Sequence, residues 1–371
     1  MNRVFSFYEI LGGDKKVKAI IDEAAAKYDV VSWKNNYSWG IPQMGLTFNV
    51  LTAQMNNAPM ASVIGVNDDK PLRSVGGYGA YGGNIPKIGH GYEIQEQTMR
   101  DEQIVFSRGG DVSITAIANL LFNHADRLIQ GYHARLNNMD DQVRSTGKLK
   151  VSVDNNADGI LLDVDYRVPA SNYLKAGFGQ DSPLAWSDPN ANCIQDLIDM
   201  VKYADDNNII YDIFEMTKTK WNQFASHPSV LSWVRRRLRI AEDAVDTFPV
   251  TNQEIKAALD GFDLPPITIA DHKQYLEVDG FNTPSNGFED DNVILRPSGL
   301  LGEMKNAVSM HALAPSSPTS LRTTVEGGRI AILNTWNDIK LINHIELEGY
   351  AVPTLSNPKN LVILDTMTAA S

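Results

Sequence analysis

Between Asp111 and Thr146 apolar residues recur every three or four positions: Ile114, Ile117, Ala118, Leu121, Ala125, Leu128, Ile129, Tyr132, Leu136, Met139 and Val143. That period draws one stripe along a single helix. The polar flank, with Asn119, Asn123, Asp126, Arg127, Gln130, Arg135, Asp140 and Arg144, shows no site-like cluster. Asp111 or Ser113 can cap the first turn, and Gly147 can close the last in a left-handed conformation. At ~1.5 Å per residue such a helix is roughly 50 Å long. No small domain needs that length, so the pattern predicts a strut.

Elsewhere the pattern is shorter-ranged. Val17, Ile20, Ile21, Ala24 and Ala25 share a face of a first helix, and the aromatics with Gly40, Pro42 and Gly45 between Val30 and Met55 predict extended chain. Residues 56–110 hold Gly76, Gly77, Gly79, Gly82, Gly83, Gly89 and Gly91 beside strand-formers such as Val63, Ile64 and Val66. So long an excursion without a core is uncommon inside a compact domain. It predicts a two-stranded flap packing on something outside its own subunit, with Lys87 near its tip, and deleting Ser74–Gly83 is expected to leave the fold intact.

After the long helix, residues 148–154 and 160–166 alternate as a hairpin around Asn155–Gly159. A linker with Pro169, Gly177, Gly179, Pro183 and Pro189 leads to a second unit. Helices are predicted from Cys193 to Ala204, Thr219 to Phe224 and Val230 to Ala244, with a buried-type strand at 209–216. Antiparallel strands follow at Ile267–Ala270, Tyr275–Val278 and Val293–Pro297. The last strands are Gly328–Trp336, Lys340–Glu348 and Leu361–Thr366. The class is α+β.

Composition narrows the function. With 371 residues, 43% hydrophobic and 21% charged, the chain can bury a sizeable core. No apolar run approaches the ~20 residues that cross a bilayer, and the N-terminal stretch lacks a signal-peptide pattern. The single cysteine, Cys193, excludes an internal disulfide and a cysteine-rich metal site, and reads as a buried helix residue. A net charge of −12 argues against a dedicated nucleic-acid binder but not against lining a space that holds nucleic acid. An intracellular assembly site fits this composition.

The search for chemistry returns little. Asp154, Asn156, Asp158, Gly159 and Asp165 match positions of a calcium loop, but strand-like flanks replace its two helices, and a solvated hairpin turn accounts for them better. The glycines from Gly76 to Gly83 do not open a helix, so they read as a loop tip and not a phosphate cradle. The histidines have no zinc-like spacing, and no nucleophile elbow accompanies any serine. Arg235, Arg236, Arg237 and Arg239 beside Trp233 read as a solvated face paired with Glu242 and Asp243, or as a subunit contact. No enzyme, cofactor or metal is expected.

Six stretches, in order, give a more specific signal. They are APMASVI (58–64), GNIPKIGHGY (83–92), MTKTKWNQF (216–224), LPPITIAD (264–271), NVILRPSGLLG (292–302) and AVPTLSNPKNLVILD (351–365). Together with the element order, they make the chain resemble the major capsid proteins of tailed bacteriophages, in the branch of the lambda major head protein, across nearly its whole length.

The resemblance implies the Hong Kong 97-type fold, with residues 1–55 as N-arm, 56–110 as E-loop, and 111–189 as P-domain with spine helix and hairpin. Residues 190–327 would be the A-domain, 328–360 the P-domain return strands, and 361–371 a C-terminal strand joining the A-domain. It further implies hexamers and pentamers building an icosahedral or prolate head that encloses double-stranded DNA, in a virion assembled in the bacterial cytoplasm. Gly76, Gly77, Tyr78, Tyr81, Lys87, Arg235, Arg236 and Arg237 would then be intersubunit contacts. Partners would be copies of the chain, a separate scaffold protein and a portal, with a decoration protein as a further candidate and no membrane. Cross-linking of Lys87 to Asn334, Asn337 or Asn343 lacks an activating carboxylate in the sequence. An encapsulin-like compartment shell and a calcium-binding module are the alternatives.

Overall fold

The computed structural model describes residues 14–53, 78–95, 97, 114–156, 161–238, 250–270, 273–278, 281–315, 317, 320–337 and 342–370. The chain folds as two compact units, the first made of Met1–Phe48, Gly83–Asn137 and Glu303–Pro353, the second of Asn49–Gly82, Asn138–Gly302 and Thr354–Ser371. Strands and helices are numbered below in chain order.

The first unit is built on a six-stranded sheet. Its order is β1 (Tyr37–Trp39), β13 (Gly302–Ala307), β16 (Ile342–Leu355), β15 (Ile330–Asn337) and β14 (Ser320–Val325), with β4 (Lys87–Ile94) also paired to β16. Alternation along β16 buries Ile345 and Leu347 while Glu346 is exposed, the period of a strand with one covered face. Helix α1 (Asp14–Ala26) buries Val17, Ile21 and Ala24 as its spacing predicts. β13 and β14 were not foreseen, and β14 hydrogen-bonds along its length to β15, so the stretch from 320 to 325 shares a sheet with the return strands.

The long helix, α2, runs over Ile114–Thr146, 33 residues. Its proposed caps, Asp111 and Ser113, lie outside the described residues. Ala125, Leu128, Ile129, Tyr132, Leu136, Met139 and Val143 are all buried, so from Ala125 onward the stripe is as predicted. Gly147 ends the helix at φ +66°, and its N–H reaches the Val143 carbonyl at 2.9 Å. A Cβ there would stand 2.6 Å from Val168 Cγ2 and 2.7 Å from Tyr173 Oη. Gly147→Ala is therefore expected to cost at least ~1–2 kcal/mol, from left-handed backbone alone. An unchanged denaturant midpoint would contradict that.

The second unit holds a mixed sheet, β7 (Tyr173–Ala176), β17 (Val362–Ala369), β12 (Asn292–Arg296), β8 (Ile213–Thr217) and β9 (Ile267–Ala270). β12 is antiparallel to both neighbours, but β9 is parallel to β8, contrary to the antiparallel expectation. The reason is the connection: α4 (Lys218–Ser226), α5 (Pro228–Arg237) and α6 (Asn252–Asp260) lie between the two strands, and helical crossovers join parallel strands. With α3 (Cys193–Asp206) these helices bury Trp186, Leu197, Phe214, Trp221, Phe224 and Leu364 in one core. α6 was missed, although Thr251 and Glu254 form a full capping box at its start. The predicted continuation of α5 to Ala244 enters residues outside the description, as do Arg239, Glu242 and Asp243.

Three pairs of strands stand apart from the larger sheets: β2 (Thr47–Ala53) with β3 (Tyr78–Asn84), β5 (Lys148–Val151) with β6 (Leu162–Asp165), and β10 (Gln274–Val278) with β11 (Phe281–Ser285). The predicted hairpin after the long helix is β5–β6, antiparallel with Lys148 opposite Asp165. A short helix, α7 (Met310–Leu313), follows β13.

Candidate functional site

The end of α2 carries the densest charge in the second unit, and it is buried. Asp140 and Arg144 belong to the flank that the sequence assigns to no site, yet Asp140, Asp141 and Arg144 are each at most 1% exposed. Arg144 Nε donates to Asp140 Oδ1 at 2.8 Å, while its two terminal nitrogens contact Asp141 and Glu215 on β8. Arg296 on β12 closes the cluster through Nε to Glu215 Oε2 at 2.6 Å. Burial alone would raise the Glu215 carboxyl, but Arg144 and Arg296 outweigh it and hold it down at about 2. Gln274 extends the network, donating to Asp141 Oδ2 at 3.0 Å and accepting from Asn138 at 2.9 Å. Two guanidiniums thus stand among three buried carboxylates. The cluster ties the helix end to the sheet.

Lys87 is not at a loop tip. It begins β4, opposite Tyr350, and its ammonium pairs with Glu348, which also accepts from Ser309 and has His311 Nε2 at 3.7 Å. The glycines around it serve close packing: a Cβ on Gly89 would lie 2.6 Å from the Leu347 carbonyl and one on Gly91 2.9 Å from Glu346. Asn334 and Asn343 are buried, which closes them to a lysine arriving from elsewhere.

Tyr81 is also committed within its own chain. It is 5% exposed, donates its hydroxyl to the Leu355 carbonyl at 2.7 Å, and packs on the ring of Tyr166 with centroids 5.1 Å apart. A deletion of Ser74–Gly83 would therefore remove a core residue. Gly76 and Gly77 lie outside the described residues, as does the side chain of Tyr78.

In the arginine run, Arg237 stacks over Trp233 at 5.6 Å and over Phe262 at 5.3 Å, and donates to the Gly261 carbonyl. Arg236 is exposed beside a shallow cleft with Asn190, Gln195, Ser229 and Ser232, and Arg235 is partly buried. Cys193 is fully buried, and burial pushes its thiol up to about 12, far from a reactive thiolate.

In the calcium-like loop, Asp158 and Gly159 fall outside the described residues. Of the remainder, Asp154 accepts from Ser152 Oγ at 3.2 Å and Asp165 from the Arg167 N–H at 2.7 Å, contacts of an ordinary hairpin. Among the described residues no group of three His, Cys, Asp or Glu side chains is placed to hold a metal ion, and no helix is long and apolar enough to cross a membrane.

No protein-family model matches the sequence, and no curated protein matches it. Solved structures do. A protein of an E. coli CFT073 prophage, described provisionally as its capsid protein, superposes with a TM-score of 0.54 at 14% identity, covering 95% of this chain and 98% of its own. A phage-related protein from Bordetella bronchiseptica RB50 gives 0.46 at 12% identity, over 94% and 97% of the two chains. The capsid protein of the cyanophage P-SCSP1u gives 0.42 at 10%, over 92% and 89%. At such identities the first likeness speaks for fold alone, and it does so end to end. The chain therefore has the α+β, Hong Kong 97-type fold of phage capsid proteins.

Proposed function

We propose that this chain is the major capsid protein of a tailed bacteriophage, a structural tile that self-assembles into the head shell. The observation that carries the reading is the fold match to the prophage protein, which spans both chains almost completely. Two features agree with it. The charged cluster around Arg144 is buried inside the chain. Extended chain after β1 holds Ile41, Met44 and Leu46 at 89, 61 and 50% exposure, apolar surface that a free monomer has no reason to display in a row.

In this reading residues 1–55 are the N-arm, 56–110 the E-loop, 111–189 the P-domain with the long helix as spine, and 190–327 the A-domain. Residues 328–360 return to the P-domain and 361–371 join the A-domain. One head-to-tail contact set, repeated, closes tiles into pentamers and hexamers. Interfaces of ~1,600 Å² are the usual scale for a stable contact. Lys87, Arg235, Arg236 and Arg237 remain contact candidates, together with Gly76, Gly77, Tyr78 and Tyr81. The shell would enclose double-stranded DNA without reading its sequence. A scaffold protein and a portal are the expected partners, a decoration protein a further one, and the host cytoplasm the place of assembly.

Expression of the chain alone and with a co-expressed scaffold, followed by electron microscopy, tests this. Closed shells are expected in at least one condition. A monodisperse monomer in every condition overturns the proposal, and shells that package protein cargo and exclude DNA would point to a compartment shell.

A further inference from the structure

We propose that residues 28–40 form a releasable strap on the first unit, and that the Glu326 carboxylate is its catch. The strap crosses the helix and the sheet edge by contacts of two kinds. Along α2, Tyr28 Oη donates to Asp126 Oδ1 at 3.1 Å, Trp33 N–H to Asn137 Oδ1 at 3.0 Å, and Trp33 Nε1 to His133 Nδ1 at 3.2 Å. At the β14–β15 turn everything converges on one group. Lys34 Nζ reaches Glu326 Oε1 at 2.8 Å, Trp39 Nε1 reaches Oε2 at 3.0 Å, and His133 Nε2 stands 3.6 Å from Oε1.

Several properties make Glu326 a catch and not one contact among many. Its oxygens take donors from two separate points of the strap, Lys34 and Trp39, so losing it loosens both at once. The side chains are poorly solvated, with Lys34 at 19% and Glu326 at 11% exposure, where a charge-assisted bond is stronger than at the surface. The backbone at Glu326 is left-handed, φ +51°, followed by Gly327 at +66° and Gly328 at +88°. A glutamate in that region is strained, and the contacts its carboxylate makes hold it there. His133 supports the geometry as a neutral ring, because burial and then Lys34 push it down to about 3. Accepting at Nδ1 from Trp33, it carries its hydrogen on Nε2, the atom facing Glu326.

Beyond the catch the strap is held at the Gly40 backbone by bonds that Glu326 does not touch. Gly40 N–H reaches the Met304 carbonyl at 2.9 Å, and Asn306 Nδ2 donates to the Gly40 carbonyl at 2.8 Å. Loss of the Glu326 contacts would thus loosen residues 28–39 while Gly40 stays pinned, β1 keeps its pairing with β13, and α1 keeps its buried face on β14. The inference concerns the isolated chain and stands whether or not that chain builds a shell.

Hydrogen exchange by mass spectrometry on the full chain tests it, comparing wild type with Glu326→Gln and Glu326→Gly. The glycine variant relieves the left-handed strain, so it keeps the backbone favourable while removing the carboxylate. Both are expected to speed exchange of peptides covering 28–39 by about tenfold or more, with Ile330–Asn337 and Ile342–Leu355 unchanged. Tryptophan emission should shift to the red as Trp33 and Trp39 meet water. Wild-type exchange over 28–39 in both variants overturns the proposal. So does uniform acceleration across the sheet strands in both, which would make Glu326 a general stabiliser of the unit.

Discussion

Replacing Arg144 with methionine is expected to lower the stability of the second unit by about 3–5 kcal/mol, the scale seen when one partner of a buried ion pair is removed. The arginine is 1% exposed and bonds Asp140, Asp141 and Glu215 at once, so its loss takes a guanidinium from three buried carboxylates. Methionine fills most of the volume, so the effect is electrostatic and not a cavity. Arg144→Lys should lose nearly as much, because a single ammonium cannot fork toward three acceptors.

The sign of the pH dependence separates this account from simple packing loss. In the wild type Glu215 is held at about 2, below its ordinary 4.5. Its contribution is therefore present above that ordinary value and is lost as pH falls through the folded one. Without Arg144, the burial of these carboxylates is less well compensated, so the variant should gain more stability than the wild type as pH falls from 7 toward 5. Denaturant midpoints at those two pH values measure both effects. A variant as stable as wild type, or one with no rise toward pH 5, would show that these carboxylates are solvated.

That cluster also marks where the sequence stops being legible. The long helix, its stop at Gly147 and the β5–β6 hairpin follow from local period and turn chemistry, and each sits where the pattern puts it. Asp140, Asp141 and Arg144 look, at helical spacing, like a solvated i,i+4 pair. What buries them is Glu215 and Arg296, 71 and 152 positions downstream of Arg144 by subtraction of residue numbers, and no local signal reports so distant a partner. The parallel pairing of β9 was readable, since a strand followed by several helices and another strand is the pattern of a crossover. So was α6, through Thr251 and Glu254. The glycines of β4 misled for a physical reason: glycine serves flexible tips and tight backbone approach alike, and only the neighbouring strand tells Gly89 which it is.

The largest functional effect is expected from the residues ahead of β3. Replacing residues 56–75 with a short glycine–serine linker, while keeping Tyr78–Asn84, should abolish shells and leave the chain folded. Keeping β3 is essential, because Tyr81 is buried and bonded to Leu355 within its own chain. Tyr81→Phe supplies the converse. Removing one buried hydroxyl should cost about 1 kcal/mol of stability, and shells should still form, since that hydroxyl bonds the Leu355 carbonyl of its own chain. The two variants thus separate folding from assembly: one lowers the denaturant midpoint and assembles, the other keeps the midpoint and does not. Normal shells from the linker variant would remove the replaced residues from the assembly contacts. A linker variant that loses both midpoint and shells would mean that the replaced residues support the fold of their own subunit.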